Sequence, residues 1–176
     1  MNGSIELVAP PDRVVVVNTS YTVGGLPAHP MLVHAVVVLV PLAALAVVLH
    51  ATWPAARARL GMVTPVLAVV ATAFIPPTTA AGESLAAKVG GTARNPLLAR
   101  HEQLGEQLLP WALGLSVVAI ALWVWFRFDP LADRPTMHRA VSITLRMAAL
   151  ALAVGVVVMV IRVGDAGARA TWSGIG

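Results

Sequence analysis

Residues 31–53 read MLVHAVVVLVPLAALAVVLHATW. The stretch is apolar almost without interruption. It is long enough to cross a bilayer, which takes about 20 residues at about 1.5 Å rise per residue. Three more stretches of this kind follow, at about Leu60–Gly82, Leu104–Phe126 and His138–Val163. Composition points the same way. Hydrophobic residues make up 58% of the 176 residues and charged residues 11%, whereas soluble domains carry about 25% charged residues. Mean hydropathy is +0.82. One small core cannot enclose that much apolar surface, so lipid must solvate much of it. The expected fold class is all-α, an integral membrane four-helix bundle. Short connections favour antiparallel neighbours and an up-down-up-down order.

Local signals refine the four spans. Pro30 stands in the first turn of the first span, where a helix tolerates proline, with His29 just before it. Pro76 and Pro77 remove two backbone donors from the second span and are expected to kink it. Pro110 lies in the early turns of the third. Trp53, Trp123 and Trp125 fall at one set of helix ends and Trp111 and Trp172 at the other, as an interfacial belt would. Small residues such as Ala43, Ala44, Ala71, Ala148 and Gly155 allow close helix approach. No internal repeat is visible in the sequence. Residues 1–28 read as an irregular tail, rich in Gly, Pro and Asx, and residues 29–176 as one membrane domain.

Several function classes drop out. Without cysteine there is no disulfide, Cys zinc site, iron–sulfur cluster or thiol nucleophile. The isoelectric point of about 11.1 reflects 12 basic against 8 acidic residues. These are scattered over loops and form no phosphate-tracking stripe, so nucleic acid is not an expected partner. Neither H-E-x-x-H nor G-x-S-x-G occurs, which disfavours a membrane hydrolase. The N-terminal segment lacks the basic start and long apolar run of a signal peptide, so the first span is expected to direct insertion. Arginine and lysine divide six against six between the two faces. Arg13 lies far from its helix and counts least, so the face carrying the two hairpin loops leans cytoplasmic and both termini extracytoplasmic.

The chemistry is expected at the opposite face, here called the terminal face, where both termini and the connection between spans two and three lie. His29 and His34 begin the first span, Glu83 ends the second, His101 and Glu102 lead into the third, and Asp165 follows the fourth. Ionisable groups at membrane depth are costly and usually functional. Imidazole and carboxylate are ligands for zinc, iron or copper, and bundle metal sites are built from side chains on several helices. The candidate metal set is therefore His29, His34, Glu83, His101, Glu102 and Asp165. His34, a turn inside an apolar helix, is hardest to explain otherwise, while His29 could serve as a cap or turn residue. His101 and Glu102 point about 100° apart. A haem would take His34 and His101, with His50 and His138 as a second pair near the hairpin face. Without any cofactor, the same groups could cap helices, pair with arginines or contact head groups.

The stretch Gly25–His34, GLPAHPMLVH, resembles the N-terminal signature of domain-of-unknown-function family 2231, predicted four-helix membrane proteins. The likeness continues through Ala81-Gly82-Glu83, the run His101–Glu106 and the run Arg162–Trp172, in the same helix order. The chain departs from it at Asp165, where relatives often carry histidine; aspartate ligates hard metals but is a poor haem ligand. Some relatives are joined to Rieske-type iron–sulfur domains, and the helical plan is similar to di-haem membrane cytochromes. The resemblance thus implies redox work, by analogy alone. The leading expectation is a metal- or haem-binding accessory to membrane electron transfer, with the bilayer and a redox protein or quinone as partners. The alternatives are a small transport or proton-relay protein and a structural subunit without a cofactor.

Overall fold

A computed structural model describes residues 22–23, 26–88 and 95–172. Most of the expected tail lies outside these residues. Its end forms a two-residue antiparallel ladder, β1 (Thr22–Val23) with β2 (Leu26–Pro27), that leads directly into the first helix. The helices are α1 (Ala28–Thr52), α2 (Pro54–Leu60), α3 (Val63–Ala73), α4 (Ile75–Lys88), α5 (Pro96–Phe128) and α6 (Pro135–Trp172). Four spans are long and apolar enough to cross a membrane: α1, α3 continued by α4, α5 and α6. The protein is a multi-pass membrane bundle.

Each departure from the expected boundaries has a local cause. The second span is broken at Phe74, because Pro76 and Pro77 offer no N–H to the carbonyls of Thr72 and Ala73. Thr78 Oγ1 and Thr79 Oγ1 donate instead to the carbonyls of Phe74 and Pro76, at 2.6 and 2.9 Å. The third span begins at Pro96 rather than near Leu104. Asn95 Oδ1 accepts from the N–H groups of Leu97 and Leu98, and Pro96 occupies the first helical position. His101 and Glu102 therefore lie inside a helix, not in a connection. The fourth span runs on to Trp172, which takes Asp165 into the helix.

The spans form a square. α5 packs most extensively on α6, α1 on α6 and α3, and α3 on α5, whereas α1 and α5 face each other across the diagonal with fewer contacts. The core is small and close: Ala43, Val47, Ala119, Leu122, Ala149 and Val156 are all essentially inaccessible. Near mid-bundle, Thr72 Oγ1 meets Ser116 Oγ at 2.8 Å and the Ala112 carbonyl at 3.1 Å, tying α3 to α5. Side-chain bonds of this kind hold helices together where lipid offers no hydrophobic drive. Trp125 is not part of an interfacial belt. It is buried, donates Nε1–H to Ser142 Oγ at 2.9 Å and stacks on His138. Four spans put both chain ends on one side. Reporter fusions at the two ends should give the same signal in intact cells, and opposite signals would break the bundle topology.

Candidate functional site

The diagonal helices bring two histidines together at the terminal face. His29 projects from the first turn of α1 and His101 from the second turn of α5. Their ring centroids lie 6.3 Å apart with the ring planes at 84°. Each ring is fixed from behind by the other diagonal pair of helices. His29 Nδ1–H donates to the Thr78 carbonyl of α4 at 2.9 Å, and His101 Nδ1–H to the Val163 carbonyl of α6 at 3.0 Å. These bonds set the tautomer and make each Nε2 the acceptor nitrogen of its ring.

The two halves of the site repeat each other. Four residues after the accepting carbonyl, each supporting helix carries a glycine against the imidazole. A Cβ at Gly82 would stand 2.9 Å from His29 Cε1, and one at Gly167 would stand 3.0 Å from His101 Cε1. The first hairpin supplies His29, the Thr78 carbonyl and Gly82; the second supplies His101, the Val163 carbonyl and Gly167. The hairpin ends also correspond. His50 meets Thr64 across the first pair of helices, and Trp125 meets Ser142 across the second. The two hairpins thus present matching contacts on either side of the histidine pair. The sequence shows only the spacing of four in Thr78–Gly82 and Val163–Gly167, too slight a pattern to read as a repeat.

A cavity of about 680 Å³ opens around the pair, within the roughly 300–1,000 Å³ typical of ligand pockets. Its walls are mainly apolar, with Val33, Leu108 and Val160 among them. Gly105 and Gly164 also border it, and a Cβ at Gly164 would meet only open space.

The other candidate residues are distributed differently. His34, Glu83 and Glu102 line the same cavity, as does Glu106. His34, however, is exposed and its Nδ1 bonds the Pro30 carbonyl of its own helix. Five residues from His29 is about 140° around a helix, so the two cannot share a direction. His101 therefore faces His29, where sequence reasoning favoured His34. Asp165 is exposed and pairs with Arg169 at 2.8 Å, away from the cavity. Among the described residues, no three His or acidic side chains converge on one point that could hold an ion. The histidines at the hairpin face do not pair with each other: His50 bonds Thr64, and His138 lies 3.0 Å from Asp129. Arg146 sits beside Phe126.

A family model described as "Predicted membrane protein (DUF2231)" matches residues 25–175. No curated protein and no solved structure matches the chain.

Proposed function

Starting from the premise that the chain belongs to the DUF2231 family of predicted membrane proteins, we propose that it is a membrane cytochrome-like protein. In this reading it binds one haem through His29 and His101 and serves electron transfer. The observation that carries the proposal is the histidine pair itself. A metal bonds imidazole nitrogen at about 2.0–2.1 Å, so two imidazoles in trans on one ion have centroids about 6.3 Å apart. His29 and His101 stand at 6.3 Å. Ligating histidines typically donate the other ring N–H to a carbonyl or carboxylate, and both do so here.

Two protein ligands also discriminate between metals. A bare zinc site takes three or four protein ligands. An ion with two trans imidazoles needs its remaining positions filled from elsewhere, and a porphyrin supplies four nitrogens. A cavity of about 680 Å³ around the histidine pair, bordered by Gly105 and Gly164, supports that choice. With no cysteine in the chain, the haem would be held without thioether links. When bound, it would supply a one-electron couple tuned by the His29 and His101 imidazoles and by burial. The chain's own residues do the rest. Thr78 and Val163 orient the imidazoles through their carbonyls, Gly82 and Gly167 let the supporting helices close behind the rings, and the apolar walls limit water.

The test is optical and magnetic. Protein purified in detergent from haem-replete cells should carry about one haem per chain, with the spectrum of a six-coordinate low-spin centre. Imidazole planes near perpendicular predict a strongly anisotropic ferric electron-paramagnetic-resonance signal. A preparation without a Soret band would remove this reading. It would leave the histidine pair and the carboxylates Glu83, Glu102 and Glu106 as a candidate proton relay in the same cavity.

A further inference from the structure

At the hairpin face, about the length of a span from the histidine pair, two arginines converge on one aromatic ring. Arg57, on the short helix α2, donates Nε–H to the His50 carbonyl at 2.8 Å and Nη2–H to the Ala51 carbonyl at 3.2 Å. It thereby caps the C-terminal end of α1, where the helix dipole favours a cation. The same bonds lay its guanidinium over the Phe126 ring, 3.4 Å from the centroid. Arg146 approaches that ring from α6, with its guanidinium carbon 5.7 Å from the centroid. The Trp125–Ser142 hydrogen bond sets the register of α5 against α6. Arg146 therefore roots one turn deeper in the membrane than Ser142, and its side chain reaches back to the level of Phe126. Long cationic side chains do this to keep the head group in the polar interface.

Among the described residues neither arginine makes a salt bridge: the close contacts between basic and acidic side chains there join His138 to Asp129 and Arg169 to Asp165. Burial, and then the charge of Arg146, hold the Arg57 guanidinium below its usual pKa. Like charges held together without a counter-ion cost energy that an anion would return. Arg57 offers N–H donors beyond the two it spends on carbonyls, because guanidinium carries five. The polar set behind it is also incomplete. His50 is 1% exposed, its Nδ1 meets Thr64 Oγ1 at 3.1 Å, and its Nε2 has no hydrogen-bond partner among the described residues.

We propose that Arg57 and Arg146, brought together around Phe126, bind a phosphate-bearing anion. The assignment is independent of the haem reading. Two guanidinium forks suit phosphate oxygens, which accept in the paired geometry that arginine presents. The position supports a phospholipid head group as the source, since Ile143 and Met147 beside Arg146 are 49% and 60% exposed and offer an apolar strip to an acyl chain. Free phosphate shares the recognised chemistry.

The experiment uses the full chain in detergent, with lipid retention read by native mass spectrometry and thermal stability measured alongside. Three additions are compared: phosphatidylglycerol, phosphatidylcholine and inorganic phosphate. The wild type should retain phosphatidylglycerol and gain stability from it more than from phosphatidylcholine. R146Q, at an exposed position that caps no helix, should weaken that retention about tenfold, the equivalent of one charge-assisted hydrogen bond. R57Q should do at least as much, and R59Q, a neighbouring arginine outside the pair, should change little. If inorganic phosphate protects as well as phosphatidylglycerol does and R146Q abolishes both effects, the site stands with free phosphate as its ligand. If R59Q weakens retention as much as R146Q does, the attraction is diffuse surface charge and the proposal fails. Equal retention of the two lipids with no effect of phosphate also overturns it.

Discussion

Replacing either His29 or His101 by alanine should abolish the six-coordinate haem spectrum, while His34→Ala should leave it intact. The expected difference is all or nothing, because a haem held by His29 and His101, as proposed, would lose half of its attachment with either residue. The two histidines come from diagonal helices and each is anchored by a separate carbonyl, Thr78 for one and Val163 for the other. His34 sits about 140° around the helix from His29 and bonds the Pro30 carbonyl of its own helix. Absorbance of the purified variants, normalised to protein, checks the result. Melting temperature measured without haem shows that each variant has folded. A His29→Ala protein that keeps the wild-type low-spin spectrum would remove His29 from the site. Loss in His34→Ala alone would restore the assignment that the apolar surroundings of His34 favour.

The second large effect is expected away from the site, in the packing of α5 on α6. Gly155 on α6 lies flat against the indole of Trp111 on α5, so close that a Cβ at that position would overlap the ring. Gly155→Ala should therefore destabilise the bundle by about 1–3 kcal/mol, the usual cost of overpacking a filled contact. Gly155→Leu should cost more. In water a glycine in mid-helix is a weakness, but here its missing side chain lets a large ring sit close to the helix backbone. Thermal unfolding in detergent provides the measurement, and Trp111→Ala provides the internal control. If the clash is the cause, Gly155→Ala should be nearly neutral once Trp111 has been truncated, and the two substitutions should be strongly non-additive. Equal losses in both backgrounds would point to another cause. Gly164→Ala, on the same helix but facing open space, should not lower the melting temperature of the haem-free protein, since alanine favours the helix more than glycine does.

The helical plan was legible because it rests on composition summed over long windows. Four runs of about 20 apolar residues can only be spans, and proline positions marked the break in the second. Boundaries were less legible. Asn95 with Pro96 is a start signal that a purely hydropathic reading passes over, since the turns it opens are polar: Arg100, His101, Glu102 and Gln103. Missing it made His101 look like a loop residue. Trp125 was misplaced for a related reason. Tryptophan near a span end usually marks the interface, and only the Ser142 hydroxyl opposite it on α6 shows that it turns inward.

The sequence by itself determined the solvent, the number of spans, the antiparallel order and the gathering of His29, His34, Glu83, His101 and Glu102 around one end of the bundle. These follow from hydropathy and connection length, which are additive along the chain. It could not determine which of those side chains face one another. That depends on the rotation of each helix about its axis and on its diagonal partner, and both are set by packing between residues far apart in the chain. Gly82 and Gly167 show this most clearly. In the sequence they are small residues near helix ends, whereas in the bundle each lets a supporting helix close against an imidazole. Tertiary structure therefore decided that His29, and not His34, stands opposite His101; Asp165 is held by a local pair with Arg169, one turn along α6. It also brought Arg57 and Arg146 from separate helices to the same ring. No spacing along the chain encodes such a meeting, because the 88 residues between them are folded back across the membrane before both side chains reach the ring.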